Sequence, residues 1–448
     1  MAKQKQEKKI QDYNLLYDKL RYYVDLALKL SYRRIQYVGK EFIPKDGAVI
    51  FAPNHTNALM DALVILALDH SPKVFVARAD IFRNPKVAKI LKFLRILPIM
   101  RMRDGLDEVK KNNETIERAV DVLRDRIPFC IFPEGTHLAK YSSLPLAKGI
   151  FRIALSAQEL MPDMPLYIVP VGIRYGNFFR FRSTVRVQIG EPINVGKFVA
   201  ENSELTVAEQ MTSMRAMLTE HLHRSIFYIP NDEDYDAMYE MCATVVKDQI
   251  RNNKFVVEGK RLRGMDAYFE ANNRTIREIQ KLKEQYPEEA ARLMELGHEA
   301  SKLRKSQKIS IRSVAVRFSL LSFVLKSLIF VLTLPYTLPT SLLTLPLYGV
   351  SVKLFKLLKD YAFRNSARFL VNLIGWPLLM IIYSVIAYIC LPWQWALPLT
   401  LILLPGPIIA HETWRLLRLL ASDVKLLKDK TLRGKYSEMK RIFYSVRK

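Results

Sequence analysis

Cysteine is scarce in this sequence. The 448 residues include three cysteines, Cys130, Cys242 and Cys390, and these lie far apart. Their spacing does not fit a metal site, and buried free thiols in a reducing compartment explain them better than a disulfide framework. No metal site is predicted.

Charged residues are absent from two long stretches near the C-terminus. Neither 327–352 nor 369–410 contains Lys, Arg, Asp or Glu. Because about 20 apolar helical residues already span the hydrocarbon core of a bilayer, these stretches exclude a wholly soluble protein. They predict two transmembrane helical hairpins, the first turning near Pro335–Pro339 and the second near Pro392–Trp395. The first hairpin has short arms and contains Lys326, so a re-entrant hairpin is the alternative.

Acidic residues are few relative to basic ones. The chain has 44 Asp and Glu against 69 Lys and Arg, a net charge of +25. A cationic surface suits either nucleic acid or an anionic membrane. Nucleic acid is not predicted as a partner, because the sequence contains no zinc-finger spacing, no aromatic-basic RNA motif and no heptad-basic region. Membrane lipids are the predicted partner. By the positive-inside tendency, basic residues flanking the hairpins place the soluble domain and both termini on the cytoplasmic side.

Short apolar runs alternate with helical patterns through the first half of the chain. Strands are predicted at Ala48–Ala52, Val74–Ala77, Ile96–Met100, Phe129–Phe132, Leu166–Val169 and Val185–Ile189. Strands separated by helices indicate an α/β fold, a mostly parallel sheet flanked by helices, with functional residues at the strand ends. A helical extension and the C-terminal transmembrane helical hairpins follow this domain.

A basic amphipathic pattern over residues 13–34 predicts a helix near the N-terminus. It is typical of an interfacial helix that lies on a membrane, and the alternative is an ordinary helix packed on the neighbouring domain. The predicted division of the chain is 1–35 amphipathic interfacial helix, 36–200 catalytic α/β domain, 201–312 helical extension, 313–412 transmembrane hairpins and 413–448 basic cytoplasmic tail.

A histidine and an aspartate, His55 and Asp61, follow the first predicted strand. A neutral imidazole can take a proton from an alcohol as that oxygen attacks an acyl carbonyl, and a carboxylate can fix the imidazole tautomer. The alcohol is then the nucleophile, and none of the usual Ser or Cys nucleophile motifs is present. On its own such a pair is more typical of a structural contact than of catalysis.

Further candidate binding residues lie at later strand ends. A carboxylate sits in a turn that glycine permits, two arginines suited to phosphate close the third strand, and a lysine precedes a helix N-terminus that favours anions. The simpler alternatives are a helix cap, solvated charges and a proline that only ends a strand. The residues are Arg101, Arg103, Glu134, Gly135, Thr136, Lys148 and Pro170.

In this order the residues resemble the glycerolipid acyltransferases, which acylate glycerol 3-phosphate or lysophosphatidic acid. Four motifs are similar: Asn54-His55 with Asp61 to the family's Asn-His-x4-Asp, Ile99-Met100-Arg101 to its second motif, Phe132-Pro133-Glu134-Gly135 to its Phe-Pro-Glu-Gly, and Val169-Pro170 to its Val/Ile-Pro pair. The resemblance implies that His55 is the base, that Asp61 orients it, that Arg101 binds the acceptor phosphate, and that Glu134 and Gly135 bind the acceptor.

The sequence departs from the family pattern at two positions. Five residues separate His55 from Asp61 instead of four, and one extra residue in a helix rotates a side chain by ~100°. With the helical extension and the hydrophobic C-terminal region, this spacing looks more like the glycerol-3-phosphate/dihydroxyacetone-phosphate acyltransferase branch of fungi and related bacterial proteins. The second departure is His137, which stands where the common pattern has arginine.

The resemblance implies a membrane-bound O-acyltransferase of phospholipid biosynthesis. It would move a fatty acyl group from acyl-CoA or acyl carrier protein, the donor substrate, to glycerol 3-phosphate or dihydroxyacetone phosphate. No cofactor is expected, since the thioester is already activated. The alternatives are acylation of lysophosphatidic acid or another lysophospholipid, and a non-enzymatic membrane lipid-binding protein that keeps the fold.

Overall fold

The chain divides into two compact units. The computed structural model describes residues 9–99, 112–257, 259–316, 318–358 and 360–445. The sheet unit runs to Ile226 and includes the separate segment Leu358–Phe369. The helical unit comprises Phe227–Leu357 and the chain from Leu370 onwards.

A mostly parallel sheet forms the centre of the sheet unit, which confirms the predicted fold class. Its strands are β1 Tyr32–Val38, β2 Ala48–Pro53, β3 Val74–Arg78, β4 Ile96–Ile99, β5 Phe129–Cys130, β6 Leu166–Tyr175, β7 Ser183–Ile189 and β8 Ile193–Asn194. The strand order is β1-β7-β6-β2-β5-β3-β4, and β8 pairs with β6. The pairs of β6 with β7 and with β8 are antiparallel, and the other pairs along this order are parallel.

Helices cover the sheet, which explains why its central strands are continuous apolar runs. They are α1 Leu15–Ser31, α2 Leu59–Leu66, α3 Pro85–Phe93, α4 Asn112–Arg124, α5 Gly149–Leu160, α6 Val195–Glu201 and α7 Val207–Ser225. All six residues of β2 are buried, and its Ala48, Ile50 and Ala52 belong to one apolar core with residues of α4, α5 and α7. Because β2, β5, β3 and β4 run parallel to one another, they end at the same edge of the sheet.

The N-terminal helix differs from its prediction in extent and in orientation. α1 ends at Ser31, and the next residues begin β1, an edge strand that the helical periodicity concealed. The helix turns polar residues inward: Arg21 and Asp25 are buried and bonded to each other, and Arg21 also donates to the carbonyl of Asp69. Leucines such as Leu16 and Leu20 point outward and are exposed. An apolar outer face is compatible with the interfacial helix, which stays a prediction.

The helical unit contains the extension and the apolar C-terminal helices. Its elements are α8 Tyr235–Asn253, β9 Val256–Val257, β10 Lys260–Arg261, α9 Gly264–Gln285, α10 Pro287–Ser306, α11 Ile311–Ala315, α12 Leu320–Leu343, α13 Leu345–Leu357, α14 Phe363–Cys390, α15 Trp393–Leu403, α16 Gly406–Lys428 and α17 Lys430–Ser445. The first residues of α14 belong to the sheet unit, and the rest of this helix belongs to the helical unit. Cys130 and Cys242 are buried free thiols, whereas Cys390 is exposed, contrary to expectation.

The predicted turn at Pro335–Pro339 is wrong. α12 continues through both prolines, which apolar membrane helices tolerate because neighbouring groups satisfy the freed backbone. Lys326 of α12 pairs with Asp423 of α16 at 2.9 Å, which explains how this helix carries a charge. The second predicted turn, near Pro392–Trp395, coincides with the break between α14 and α15.

Two helices in the described part of the chain, α12 and α14, are long and apolar enough to cross a membrane. α15 and α16, which are bent by 47° at their junction, count as a third if the pair is one span. These helices associate the chain with a membrane.

Candidate active site

His55 and Asp61 are in direct contact at the carboxyl edge of the sheet. His55 follows β2 by two residues, and its Nδ1 lies 2.8 Å from Asp61 Oδ2. Because an ionised carboxylate only accepts hydrogen bonds, Nδ1 carries the proton and Nε2 is the nitrogen that can accept one. The pair has the geometry of a base and its orienting carboxylate.

The extra residue between the two side chains lies in a loop. α2 begins at Leu59, after Ala58, whose φ of 47° and ψ of −125° form a sharp bend. The rotation of ~100° that an insertion causes inside a helix therefore does not arise here. The loop wraps around the carboxylate, and the backbone N–H groups of Thr56 and Asn57 donate to Asp61 Oδ2 at 2.8 and 2.6 Å.

Asp61 is fully buried and completely bonded. In addition to the three donors on Oδ2, the Tyr175 hydroxyl donates to Oδ1 at 2.7 Å from the end of β6. Burial and the negative charge of Asp61 raise the pKa of Tyr175 well above its ordinary value, so the phenol stays a neutral donor. Asn54 fastens the same loop, since its side chain exchanges two hydrogen bonds with the backbone of Ile173.

Sheet register brings Glu134 to His55. Phe51 pairs with Cys130 in the parallel β2–β5 ladder, so the positions four residues later stand opposite each other. The backbone N–H of His55 donates to Glu134 Oε1 at 3.3 Å, while the buried Oε2 has no protein partner among the described residues. Burial raises the pKa of Glu134 to about 8, and the hydrogen bond from the backbone N–H of His55 opposes part of this rise. An unpaired buried carboxyl oxygen beside the His55–Asp61 pair is a candidate contact for substrate.

Aromatic rings enclose the imidazole of His55. Phe132 stacks on it with ring centroids 4.3 Å apart, and the ring of His137 meets it edge-on at 5.6 Å. His137 Nε2 is in turn 2.7 Å from Asp360 Oδ2, in the separate Leu358–Phe369 segment of the sheet unit.

The other predicted residues are placed differently. Gly135 has a φ of +64°, which explains why glycine ends this turn, and Thr136 and Lys148 are exposed. Lys148 immediately precedes α5 and makes no side-chain cap. Pro170 is buried within β6, where it pairs with Ala52 of β2, and its role in substrate binding stays a prediction.

The predicted phosphate ligands Arg101 and Arg103 lie outside the described residues. They follow Ile99, the last residue of β4, whose side chain approaches the start of α5 at Gly149. Tyr175 and Asp360 were not predicted from the sequence. A tyrosine ending an apolar strand is a weak signal for the first, and no motif marks the second.

A family model matches the part of the chain that contains this site. Residues 34–174 match the family model described as Acyltransferase. This part of the chain is an acyltransferase-family domain. The matched region contains the dyad and the Glu134 loop, and Tyr175 follows it by one residue.

Several curated relatives match part of this chain. Glycerol-3-phosphate O-acyltransferase 2 of Saccharomyces cerevisiae is 29% identical over 158 residues, 35% of this chain and 20% of the yeast protein. The 1-acyl-sn-glycerol-3-phosphate acyltransferase of Borreliella burgdorferi is 27% identical over 144 residues, 32% of this chain and 55% of that protein. The chain thus spans about a fifth and about half of these relatives. The crystal structure of the LPA acyltransferase PlsC from Thermotoga maritima superposes with a TM-score of 0.33 at 21% identity, covering 47% of this chain and 78% of PlsC.

Proposed function

We propose that the protein is a membrane-bound glycerolipid O-acyltransferase. The observation that supports this proposal is the His55–Asp61 pair, in which His55 Nδ1 donates to a buried carboxylate and Glu134 lies beside His55. The acyl group would come from acyl-CoA or acyl carrier protein, and the acceptor would be a phosphorylated glycerol.

In the proposed reaction, His55 Nε2 takes the proton of the acceptor hydroxyl as its oxygen attacks the thioester carbonyl. The new C–O bond forms a tetrahedral intermediate, which collapses as the C–S bond breaks. The imidazolium returns its proton to the departing sulfur, so no net proton is gained or lost. Asp61 stabilises the imidazolium between these steps, held by four donors that prevent it from turning away.

Glu134 would position the acceptor. With its pKa raised to about 8, its carboxyl group is protonated near neutral pH and can both donate and accept a hydrogen bond. A polyol acceptor offers both kinds of partner. Lys148, at the N-terminus of α5, and Arg101 and Arg103, after β4, are proposed to bind its phosphate.

The preferred acceptor in this proposal is glycerol 3-phosphate or dihydroxyacetone phosphate, with lysophosphatidic acid or another lysophospholipid as the alternative. Relatives named for glycerol 3-phosphate and for 1-acylglycerol 3-phosphate both match part of this chain, so both acceptor classes are tested. The full chain in lipid vesicles is offered each acceptor with palmitoyl-CoA or palmitoyl-acyl carrier protein. Faster acylation of a lysophospholipid would reject the first choice.

His55→Ala tests catalysis itself. It should abolish transfer to every acceptor while thermal unfolding stays near that of the wild type. A wild-type chain that binds these lipids but transfers nothing would support the non-enzymatic alternative.

The proposed location is an integral membrane protein with its soluble domain and both termini on the cytoplasmic side. Basic residues, including Arg364 and Arg368, lie in the first two turns of α14, and uncharged residues form the α14–α15 junction. Cysteine-accessibility labelling from each side of sealed vesicles, at Ser445 and at Gln394, tests this orientation. Labelling of both positions from one side would reject it.

A further inference from the structure

A short segment of the chain returns to the sheet unit long after the acyltransferase domain ends. Leu358–Phe369 clusters with the sheet unit although 131 residues of the helical unit, Phe227–Leu357, come before it. Its Ala362, Asn365, Ser366 and Phe369 are buried. Residues 360–368, here called the returning segment, contact the loops that hold His55 and Asp61.

One set of contacts leads to His55. Asp360 Oδ2 is 2.7 Å from His137 Nε2, and Asp360 Oδ1 accepts from the backbone N–H of Ala362 at 2.9 Å. The Phe363 ring meets His137 edge-on, with centroids 5.2 Å apart. His137 itself lies edge-on to His55. By contacting His137, Asp360 and Phe363 therefore fix the ring that packs against one side of His55.

A second set of contacts leads to Asp61. Asn57, whose backbone N–H donates to the Asp61 carboxylate, also donates from its side chain to the carbonyl of Phe178 at 2.5 Å. Asn365 Nδ2 donates to Asn57 Oδ1 and to the same Phe178 carbonyl, each at 3.3 Å. Asn57 and Asn365 are both nearly inaccessible to solvent, so water does not easily replace these bonds.

We propose that the returning segment positions the catalytic pair, with Asp360 acting through His137 on His55 and Asn365 acting through Asn57 on Asp61. Neither residue touches the reacting atoms, so both are positioning residues. The inference rests on the proposed acyltransferase function. It also assigns a role to His137, at the position where this chain departs from the common motif: an imidazole bonded to Asp360 links the motif to a distant part of the chain.

A double-mutant cycle tests this coupling in the full chain, with palmitoyl-CoA and the acceptor selected by the panel above. Asp360→Ala should lower kcat by about 10- to 100-fold and leave both KM values unchanged, because the base is misaligned while substrate contacts remain. Asp360→Asn keeps an acceptor oxygen for His137 and should recover most of the lost rate. In a His137→Gln background, Asp360→Ala should cost nothing further.

Asp163→Asn, an exposed aspartate in the same unit, serves as the matched control and should leave kcat unchanged. Wild-type kcat in Asp360→Ala, or equal losses with and without His137, would overturn the inference. If Asp360→Ala does not fold, Asn365→Ala provides the same test through Asn57.

A readout independent of turnover separates this inference from the proposed function. Carbethoxylation of His55 by diethyl pyrocarbonate, mapped by mass spectrometry, should be faster in Asp360→Ala than in the wild type because the ring is less confined. An unchanged rate rejects the positioning role even if the chain proves active. A faster rate in a chain without acyl transfer supports the positioning contact and rejects the enzymatic proposal.

Discussion

Replacing Asp61 by asparagine should remove the negative charge beside His55 and preserve the geometry of the pair. Two backbone N–H groups, from Thr56 and Asn57, point at Asp61 Oδ2 together with His55 Nδ1. The amide oxygen must occupy this position, because an NH2 group there would face three donors. The amide NH2 then faces the Tyr175 hydroxyl, which can rotate to accept. His55 therefore keeps its proton on Nδ1.

The expected fall in kcat therefore corresponds to the loss of one charge–charge interaction. Two unit charges about 4 Å apart interact by about 4 kcal/mol at an effective dielectric constant of 20, a figure that bounds the stabilisation of the imidazolium. Since each 1.36 kcal/mol is tenfold in rate, kcat should fall by about 100- to 1000-fold. This is less than the roughly 10⁴-fold loss known where an asparagine reverses the histidine tautomer.

Asp61→Ala is the contrasting variant. It leaves buried donors without an acceptor, each costing about 1–3 kcal/mol, so unfolding should occur at a clearly lower temperature than in Asp61→Asn. Thiol release from palmitoyl-CoA measures kcat, and thermal unfolding in detergent measures stability. Wild-type kcat in Asp61→Asn would refute the charge argument, and equal unfolding temperatures for the two variants would refute the hydrogen-bond argument.

Three further predictions concern stability. Burial raises the pKa of Glu134 from 4.5 to about 8, so between these pH values the folded state holds a proton that the unfolded chain loses. The free energy of unfolding should therefore fall as the pH rises through this window, by up to about 1.4 kcal/mol per pH unit. Glu134→Gln should flatten this slope in thermal scans at a series of pH values. Gly135→Ala should cost only the positive-φ strain of about 1–2 kcal/mol, because its new Cβ meets no atom within 4 Å. Gly172→Ala should unfold at a much lower temperature, because its Cβ would lie 2.0 Å from a backbone carbonyl oxygen at the end of α7. Asp423→Ala alone should destabilise the helical unit more than the double variant Asp423→Ala/Lys326→Met. The single change leaves the partly buried ammonium of Lys326 without its carboxylate. Equal unfolding temperatures for the two variants would contradict this.

The sequence predicted the sheet well because its central strands carry the signal in their own residues. β2 and β6 are apolar runs bounded by turns, and burial on both faces requires such runs. β1 was missed because it lies at the sheet edge, where Tyr32–Val38 mixes polar and apolar residues after a helical pattern. Pro335 and Pro339 misled the prediction for α12, since prolines end helices in water more strictly than in apolar surroundings.

The candidate site was only partly predictable. Strand-end rules bring His55 and Glu134 to one edge, and the β2–β5 register accounts for their contact. The contact between His55 and Asp61 depends on the bend at Ala58, a loop conformation that periodicity does not encode. The pairing of His137 with Asp360 joins residues 223 positions apart, a separation at which a single sequence offers no local signal.

The returning segment also sets an order of events during synthesis. Most of the sheet unit has left the ribosome once Ile226 is made, but 131 residues, Phe227–Leu357, are made before the chain returns to this unit at Leu358, roughly 7–26 s at ordinary rates of translation. In that interval the first apolar helix, Leu320–Leu343, emerges and becomes available to the membrane. Contacts from Asp360 and Asn365 can form only after this point. Under the proposed positioning role, a chain that has not yet produced its first membrane helix lacks these contacts, which confines the proposed chemistry to chains already able to reach the bilayer.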